Sequence, residues 1–300
     1  MKQKTAAIAF LARDCEKTLP GFLSKTERLR TCFRDSRVFI VENGSKDATR
    51  TLLKQYEQSS PGVTLHLFDD PAFDSLPRMQ RMVQLRNQCL DLVQESQYQP
   101  DYYIILDSDL DFDAASVEKG IRKAPEDWAG LFANGRYYLK AGKFRIPVLY
   151  YDLFAYLPDC PENTTAEERN SMTETDMHRL RPQTQKAIRK NSYLKCRSAF
   201  GGVGIYRFDA IAGCRYTMEK NNVSRKFDYL CEHIPFNRMV SKNGSLYICR
   251  GMRVYYEPIS FRNLLKARAK DHNRQEELQK LITIYKKWVS PFRNHRRESP

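Results

Sequence analysis

No apolar stretch in these 300 residues is long enough to span a bilayer, and there is no internal repeat or low-complexity tract. The eight cysteines, at positions 15, 32, 89, 160, 196, 214, 231 and 249, include no Cys-x-x-Cys pair. Zinc-ribbon and dithiol redox chemistry therefore have no support, and nothing in a chain this long suggests a disulfide scaffold. Reduced thiols in a cytoplasmic protein are expected. The N-terminal Met1-Lys2-Gln3-Lys4, followed by apolar residues to Ala12, mimics a short signal peptide. It runs into Arg13-Asp14 without a small-residue cleavage site and reads instead as the first core strand. Sequons at Asn43, Asn163, Asn222 and Asn243 are of the kind that arise by chance, and a glycan on Asn43 would obstruct the site described next.

Positive charge is plentiful: 50 Lys and Arg against 36 Asp and Glu give +14, which points to an anionic partner. From Ser260 to Pro300, eleven Lys and Arg face four Asp and Glu, so half of the excess lies in the C-terminal tail. With 41% hydrophobic residues the chain can bury a sizeable core, as one α/β domain with an appendage or as two domains.

The most informative segment is Asp101-Tyr102-Tyr103-Ile104-Ile105-Leu106-Asp107-Ser108-Asp109-Leu110-Asp111. An apolar run ends in carboxylates two residues apart. In a buried strand, Asp107 and Asp109 would leave the C-terminal end on the same side. Such an oxygen-rich pair suits Mg²⁺ or Mn²⁺, ions that bridge to substrate phosphates. Asp107, Asp109, Asp111, Asp113 and Glu118 also match the ligand spacing of an EF-hand loop. Phe112, however, stands where that loop's sharp turn needs glycine, and the flank is a strand rather than a helix. An acidic helix start explains Asp111 and Asp113. It does not explain Asp107 and Asp109.

Strand and helix signals alternate through the first half. Strands are expected at 6–11, 37–41, 63–68 and 102–106, and helices at 19–32, 46–58 and 76–93. This alternation implies parallel strands in a doubly wound sheet, with ligands outside their carboxyl ends, where Arg13, Glu42 and Asp107 fall. The second half is less regular. Strands are expected at 131–138, 150–156, 199–206 and 245–256, a helix at 231–241 and a basic helix at 264–288. Residues 158–191 are polar, with proline near both ends, and read as a long excursion or lid.

The order of motifs resembles the GT-A-fold glycosyltransferases, especially the family-2 type. Val41-Glu42-Asn43-Gly44-Ser45-Lys46-Asp47-Ala48-Thr49 is similar to their acidic–Asn/Asp–Gly–Ser–x–Asp–x–Thr element, Leu85-Arg86-Asn87 to their Ala-Arg-Asn element, and Asp107-Ser108-Asp109 to their DxD motif. Phe200-Gly201-Gly202 and Cys231-Glu232-His233 resemble their acceptor loop and acidic catalytic motif. The Val-Glu-Asn-Gly-Ser variant is also similar to fungal capsule-associated and Golgi mannosyltransferases. The resemblance covers roughly residues 5–258. It implies a GT-A domain over 1–260, containing the polar insertion or lid at 158–191, followed by a basic helical C-terminal extension over 261–300.

It further implies a sugar transferase using a nucleotide-sugar donor and a Mn²⁺ or Mg²⁺ ion, with a glycan, lipid-linked or protein acceptor. Leu11 and Arg13 would line the nucleotide pocket, with Ser108 beside the donor, and Glu42 would bind the ribose or base. Arg86 would face the pyrophosphate. Asp109 would hold the metal, and Asp107 the metal, its water or the ribose. Gly201 and Gly202 would let the backbone approach a sugar closely. Glu232 would be the general base of an inverting reaction. The family usually has a second acid where His233 stands, so His233 is open to roles as base, metal ligand or core residue.

Two other readings compete. A sugar-nucleotide nucleotidyltransferase would share the fold class, but Leu11-Ala12-Arg13-Asp14-Cys15 is not the Gly-rich, cation-bearing loop that chemistry uses. The tail, with cations interleaved among Phe261, Tyr285, Trp288 and Phe292, suits a non-enzymatic module that binds nucleic acid or anionic lipid, or else a solvated helix that packs an apolar face of Leu278, Leu281, Ile282 and Tyr285 on the domain. Of the two ligands nucleic acid is the less expected, and peripheral membrane association is expected through the tail.

Overall fold

The computed structural model describes residues 1–69, 73–159, 174–221 and 228–271. Among them, β1 (Thr5–Ala12) is the hub of the first half. It pairs in parallel with β2 (Asp35–Glu42) on one side and with β4 (Tyr102–Asp107) on the other, and β3 (Val63–Leu67) extends the sheet beyond β2. A strand buried on both faces sends alternate side chains into two cores. Ala7, Ala9, Phe39, Val41, Tyr103 and Ile105 face the core completed by α3 (Arg78–Glu95). Ala6, Ile8, Phe10, Val38, Ile40, Ile104 and Leu106 face the core completed by α1 (Leu19–Arg30), α2 (Thr49–Ser59) and α4 (Ala114–Arg122).

The second half continues the same sheet with mixed polarity. β10 (Val203–Arg207) runs antiparallel to β4, and β6 (Trp128–Ala141) antiparallel to β10. β11 (Ser245–Pro258) lies parallel to β6, followed by β9 (Tyr193–Ser198) and β8 (Leu157–Pro158). Off this path, β5 (Asp111–Phe112) pairs with β11, and β7 (Phe144–Tyr150) folds back on β6 as a hairpin. α6 (His233–Val240) joins α3 on its face of the sheet. No described helix is long and apolar enough to cross a membrane.

Four expectations change in the second half. Residues 151–156 are not strand, because the Asp152 side chain accepts from the Ala155 N–H at 3.3 Å and closes a local turn that competes with ladder pairing. Residues 199–202 precede β10 as a turn, with Gly201 at φ +67° and Gly202 at φ +86°. Within the expected excursion, 160–173 lie outside the described residues, whereas α5 (Glu174–Lys190) is a helix that buries Thr184 and Ile188. The basic helix begins earlier than expected, as α7 (Phe261–Asp271), and its Asp271 accepts from Arg181 of α5 at 2.8 Å. The expected apolar face at Leu278, Leu281, Ile282 and Tyr285 lies outside the described residues.

Candidate active site

Strand order reverses at β1, whose neighbours β2 and β4 connect in opposite directions, and the crevice at such a switch point is where open α/β sheets bind ligands. A cleft of about 870 Å³ opens there. Leu11 stands opposite Asp107 in the β1–β4 register, so the ends of both strands reach the cleft together. Leu11, Arg13, Arg86, Asp107, Ser108, Asp109, Glu232 and His233 all line it. Eight of the expected positions, spread over more than 220 residues of sequence, thus share one cavity.

Arg86 organises its floor. This side chain is 3% exposed, donates from Nε to Glu232 Oε1 at 2.8 Å and from Nη2 to Asp107 Oδ1 at 3.2 Å, and lies over the Phe200 ring at 4.9 Å. Its Nη1 has no hydrogen-bond partner among the described residues. Its neighbour Asn87 clamps the backbone of Tyr216, donating to the carbonyl and accepting from the N–H at 2.9 Å each. Tyr216 and Phe200 in turn pack on the His233 ring, at 5.6 and 3.9 Å between centroids.

The electrostatics follow from this arrangement. Burial opposes the Glu232 charge, but the positive field beside it, dominated in geometry by Arg86, holds the carboxyl well below its usual range. Burial, reinforced by Arg86, pushes His233 down to about 3, so its ring is neutral at pH 7. Its Nε2 lies 3.7 Å from Glu232 Oε1, and neither ring nitrogen has a hydrogen-bond partner among the described residues. The packing is that of a core histidine whose edge reaches the cleft. Burial raises Asp107 to about 7 against the pull of Arg86, and raises Asp109 as well.

Three expected residues sit elsewhere. Glu42 is fully buried and off the cleft wall, because it accepts from the Ser45 N–H at 2.5 Å and pairs with Arg50 at 2.7 Å. Asn43, next in sequence, lines the cleft instead. Gly201 and Gly202 do not line it either. A Cβ on Gly201 would stand 2.1 Å from the Ala133 carbonyl oxygen, and one on Gly202 would stand 1.8 Å from Leu110 Cδ1. Their close approach is to the protein's own packing. The turn they form is still tied to the site: the Asp107 N–H donates to the Gly202 carbonyl at 3.0 Å, and the Gly201 N–H donates to Asp152 Oδ2 at 2.6 Å.

Sequence reasoning missed Asp152, Tyr151, Tyr256 and the Arg78/Arg81 pair, all on the wall. Tyr151 and Tyr256 stack with centroids 4.5 Å apart and planes 8° off parallel. Arg78 and Arg81 lie three apart at the start of α3, a helical spacing that was legible, while Asp152 sits in a segment read as strand. Arg13 is held by a bidentate pair with Asp74 at 2.5 and 3.0 Å.

This site belongs to a sugar-transferring fold: the model for glycosyl transferase family 2 matches residues 8–212, more than half of the chain. The chain is a member of that family, a glycosyltransferase of GT-A fold. Among solved structures it is similar to S. aureus TarS 1-349 in complex with UDP-GlcNAc (12% identity over 89% of this chain and 66% of that one, TM-score 0.48). It is also similar to the Pyrobaculum calidifontis mannosyltransferase PcManGT in complex with GDP-Man and Mn²⁺ (10% identity, 89% and 61%, TM-score 0.48). GalNAc-T7 with UDP, GalNAc and Mn²⁺ matches at 11% identity over 85% of this chain and 43% of its own, TM-score 0.47. The chain thus spans two thirds or less of these three structures. No curated protein matches it.

Proposed function

We propose that this glycosyltransferase moves a sugar from a nucleoside-diphosphate donor to a hydroxyl acceptor, with inversion, and that a divalent cation, Mn²⁺ or Mg²⁺, serves at Asp107 and Asp109. The observation that carries the reading is the Asp107–Arg86–Glu232 bridge. It puts a carboxylate of the strand-end pair and a second, ionised carboxylate on one buried cation inside one cleft.

No three His, Cys, Asp or Glu side chains gather at one point among the described residues. A cation here would therefore draw its remaining donors from diphosphate and water, and two carboxylates completed by phosphate oxygens form a set that Mg²⁺ and Mn²⁺ accept. The residues present fit such an ion. When bound it neutralises charge on the departing nucleoside diphosphate.

The protein's own groups do the rest. Arg78 lines the mouth beside Arg13 and Arg81, two cations that share the single Asp74 carboxylate, and the donor phosphates would be met by these three guanidinium groups. Glu232, kept ionised by Arg86, accepts the proton of the attacking hydroxyl at a carboxylate oxygen. Phe200 and Tyr216 hold the neutral His233 ring beside it, which limits water around that oxygen. The acceptor is read as a glycan, a lipid-linked sugar or a protein hydroxyl.

The test screens nucleotide sugars with and without Mn²⁺ for thermal stabilisation, since ligand binding raises apparent stability by mass action, and then assays Glu232→Gln. Transfer should fall on the order of 10²–10⁴-fold with donor stabilisation retained. Stabilisation by no nucleotide sugar, or full transfer in the variant, would remove the assignment.

A further inference from the structure

Where β6 and β7 leave the body of the sheet, the chain reads Leu139-Lys140-Ala141-Gly142-Lys143-Phe144-Arg145-Ile146-Pro147, and residues 140–147 are all exposed. The hairpin register pairs Leu139 with Ile146, Lys140 with Arg145 and Ala141 with Phe144. Directly opposed residues share a face and neighbours along a strand alternate. One face is therefore Leu139, Ala141, Phe144 and Ile146, wholly apolar, and the other is Lys140 and Arg145. Phe144 is 66% exposed and Ile146 49%. The remaining large hydrophobic residue exposed among those described, Phe261 at 66%, stands near the hairpin's base, because the Ile259 N–H donates to the Tyr138 carbonyl.

A two-stranded projection with a bare apolar face needs something to cover it. The charges decide what. From Leu139 to Val148 there are three cations and no acid. Arg145 is held by Asp111 and by the Tyr138 and Tyr255 rings, whereas Lys140 and Lys143 make no ion pair with a described residue. A second copy of the hairpin would set like charges together. The chain's own 272–300 segment is also net positive. The surface instead matches a layer that is apolar within and negative at its boundary.

We propose that the β6–β7 hairpin is an interfacial anchor that inserts Phe144 and Ile146 at the surface of an anionic lipid bilayer while Lys140 and Lys143 meet the headgroups. This contact is separate from any made by the C-terminal tail. It also orients the cleft. Tyr137 packs edge-on against Tyr151 and Tyr256 of the cleft wall at 6.1 and 5.5 Å, and Phe144 stands opposite Ala141, four strand residues beyond Tyr137, so the tip lies roughly 13 Å from that wall at about 3.3 Å per strand residue. On the transferase reading above, an acceptor carried on a lipid would then reach the site from the membrane.

The experiment is co-sedimentation of the full chain with phosphatidylcholine vesicles, with and without about a third phosphatidylserine. It compares the parent protein with Phe144→Ser/Ile146→Ser and with Lys140→Gln/Lys143→Gln. These residues are exposed, so unchanged thermal midpoints confirm the fold, and the readout does not depend on sugar transfer. We expect binding to the anionic vesicles only, falling at least about tenfold in the apolar double variant and losing its salt dependence in the lysine variant. The proposal is overturned if the parent protein ignores both vesicles, or if both variants bind undiminished, which would leave the tail as the lipid contact. It is equally overturned if the apolar variant changes oligomeric state rather than lipid binding, or if the hairpin variants lose affinity for an oligonucleotide while no variant binds vesicles.

Discussion

At Arg86 one guanidinium serves two carboxylates that arrive from different halves of the chain. Removing it strands Asp107 and Glu232 in a poorly solvated pocket. Arg86→Met is therefore expected to lower unfolding free energy by about 3–5 kcal/mol, as for other broken buried pairs, measured by urea denaturation. Asp109 stands at the open edge of the cleft, partly desolvated by its walls yet in reach of solvent, and makes no such pair among the described residues, so Asp109→Asn is expected to stay within about 0.5 kcal/mol of the parent while losing Mn²⁺-dependent nucleotide stabilisation. A large loss of stability in Asp109→Asn would show that it is structural. Asp107 was legible as the acid that ends an apolar strand and Asp109 by its spacing from it, although β4 stops at Asp107 and a turn, rather than strand alternation, brings Ser108 and Asp109 to the same cleft. Glu42 was legible as an acid at a strand end, but not its partners: Ser45 and Arg50 claim it through a turn whose geometry the sequence pattern does not encode. Asp152 carried no motif at all, and its importance to the turn at Gly201 appears only once residues 49 positions apart are neighbours.

Helices and strands of the first half were readable to within a few residues, since β1, β2 and β4 are largely buried on both faces and each crossover helix has one apolar stripe. The second half hid more. β6 and β11 are long and interrupted by register shifts, and α5 looked polar because, among its described side chains, only Arg181, Thr184 and Ile188 are buried. The turn before β10 makes a sharper prediction. At Gly201 the left-handed φ and the contact with the Ala133 carbonyl both exclude a side chain, so Gly201→Ala is expected to cost more than about 2 kcal/mol and to displace Asp107 through the Gly202 carbonyl. Donor binding and thermal midpoint should fall together. By contrast Asp113 caps α4 by accepting from Ala115 and Ser116, and Asp113→Ala should cost only about 1 kcal/mol with donor binding intact.

Across the whole molecule, the division at residue 260 is worth testing by truncation. α7 buries Leu264 and Ala269, and its Asp271 takes a hydrogen bond from Arg181 and contacts His178. A chain ending at Ser260 is expected to melt on the order of 5–10 °C lower than the parent, followed by circular dichroism, because apolar burial and a buried ion-pair partner are lost together. An unchanged midpoint would make 261–300 a dispensable appendage. The mixed order of the sheet has one more consequence, which concerns synthesis. β4 is covered on its outer edge by β10, whose Ile205 lies opposite Ile104, and the two are separated by roughly a hundred residues of chain. At about 5–20 residues per second, a ribosome leaves that apolar edge unpaired for roughly 5–20 s. A nascent chain in that interval presents an open strand to its neighbours, so densely loaded polysomes should favour aggregates, and sparse ribosome loading the folded enzyme.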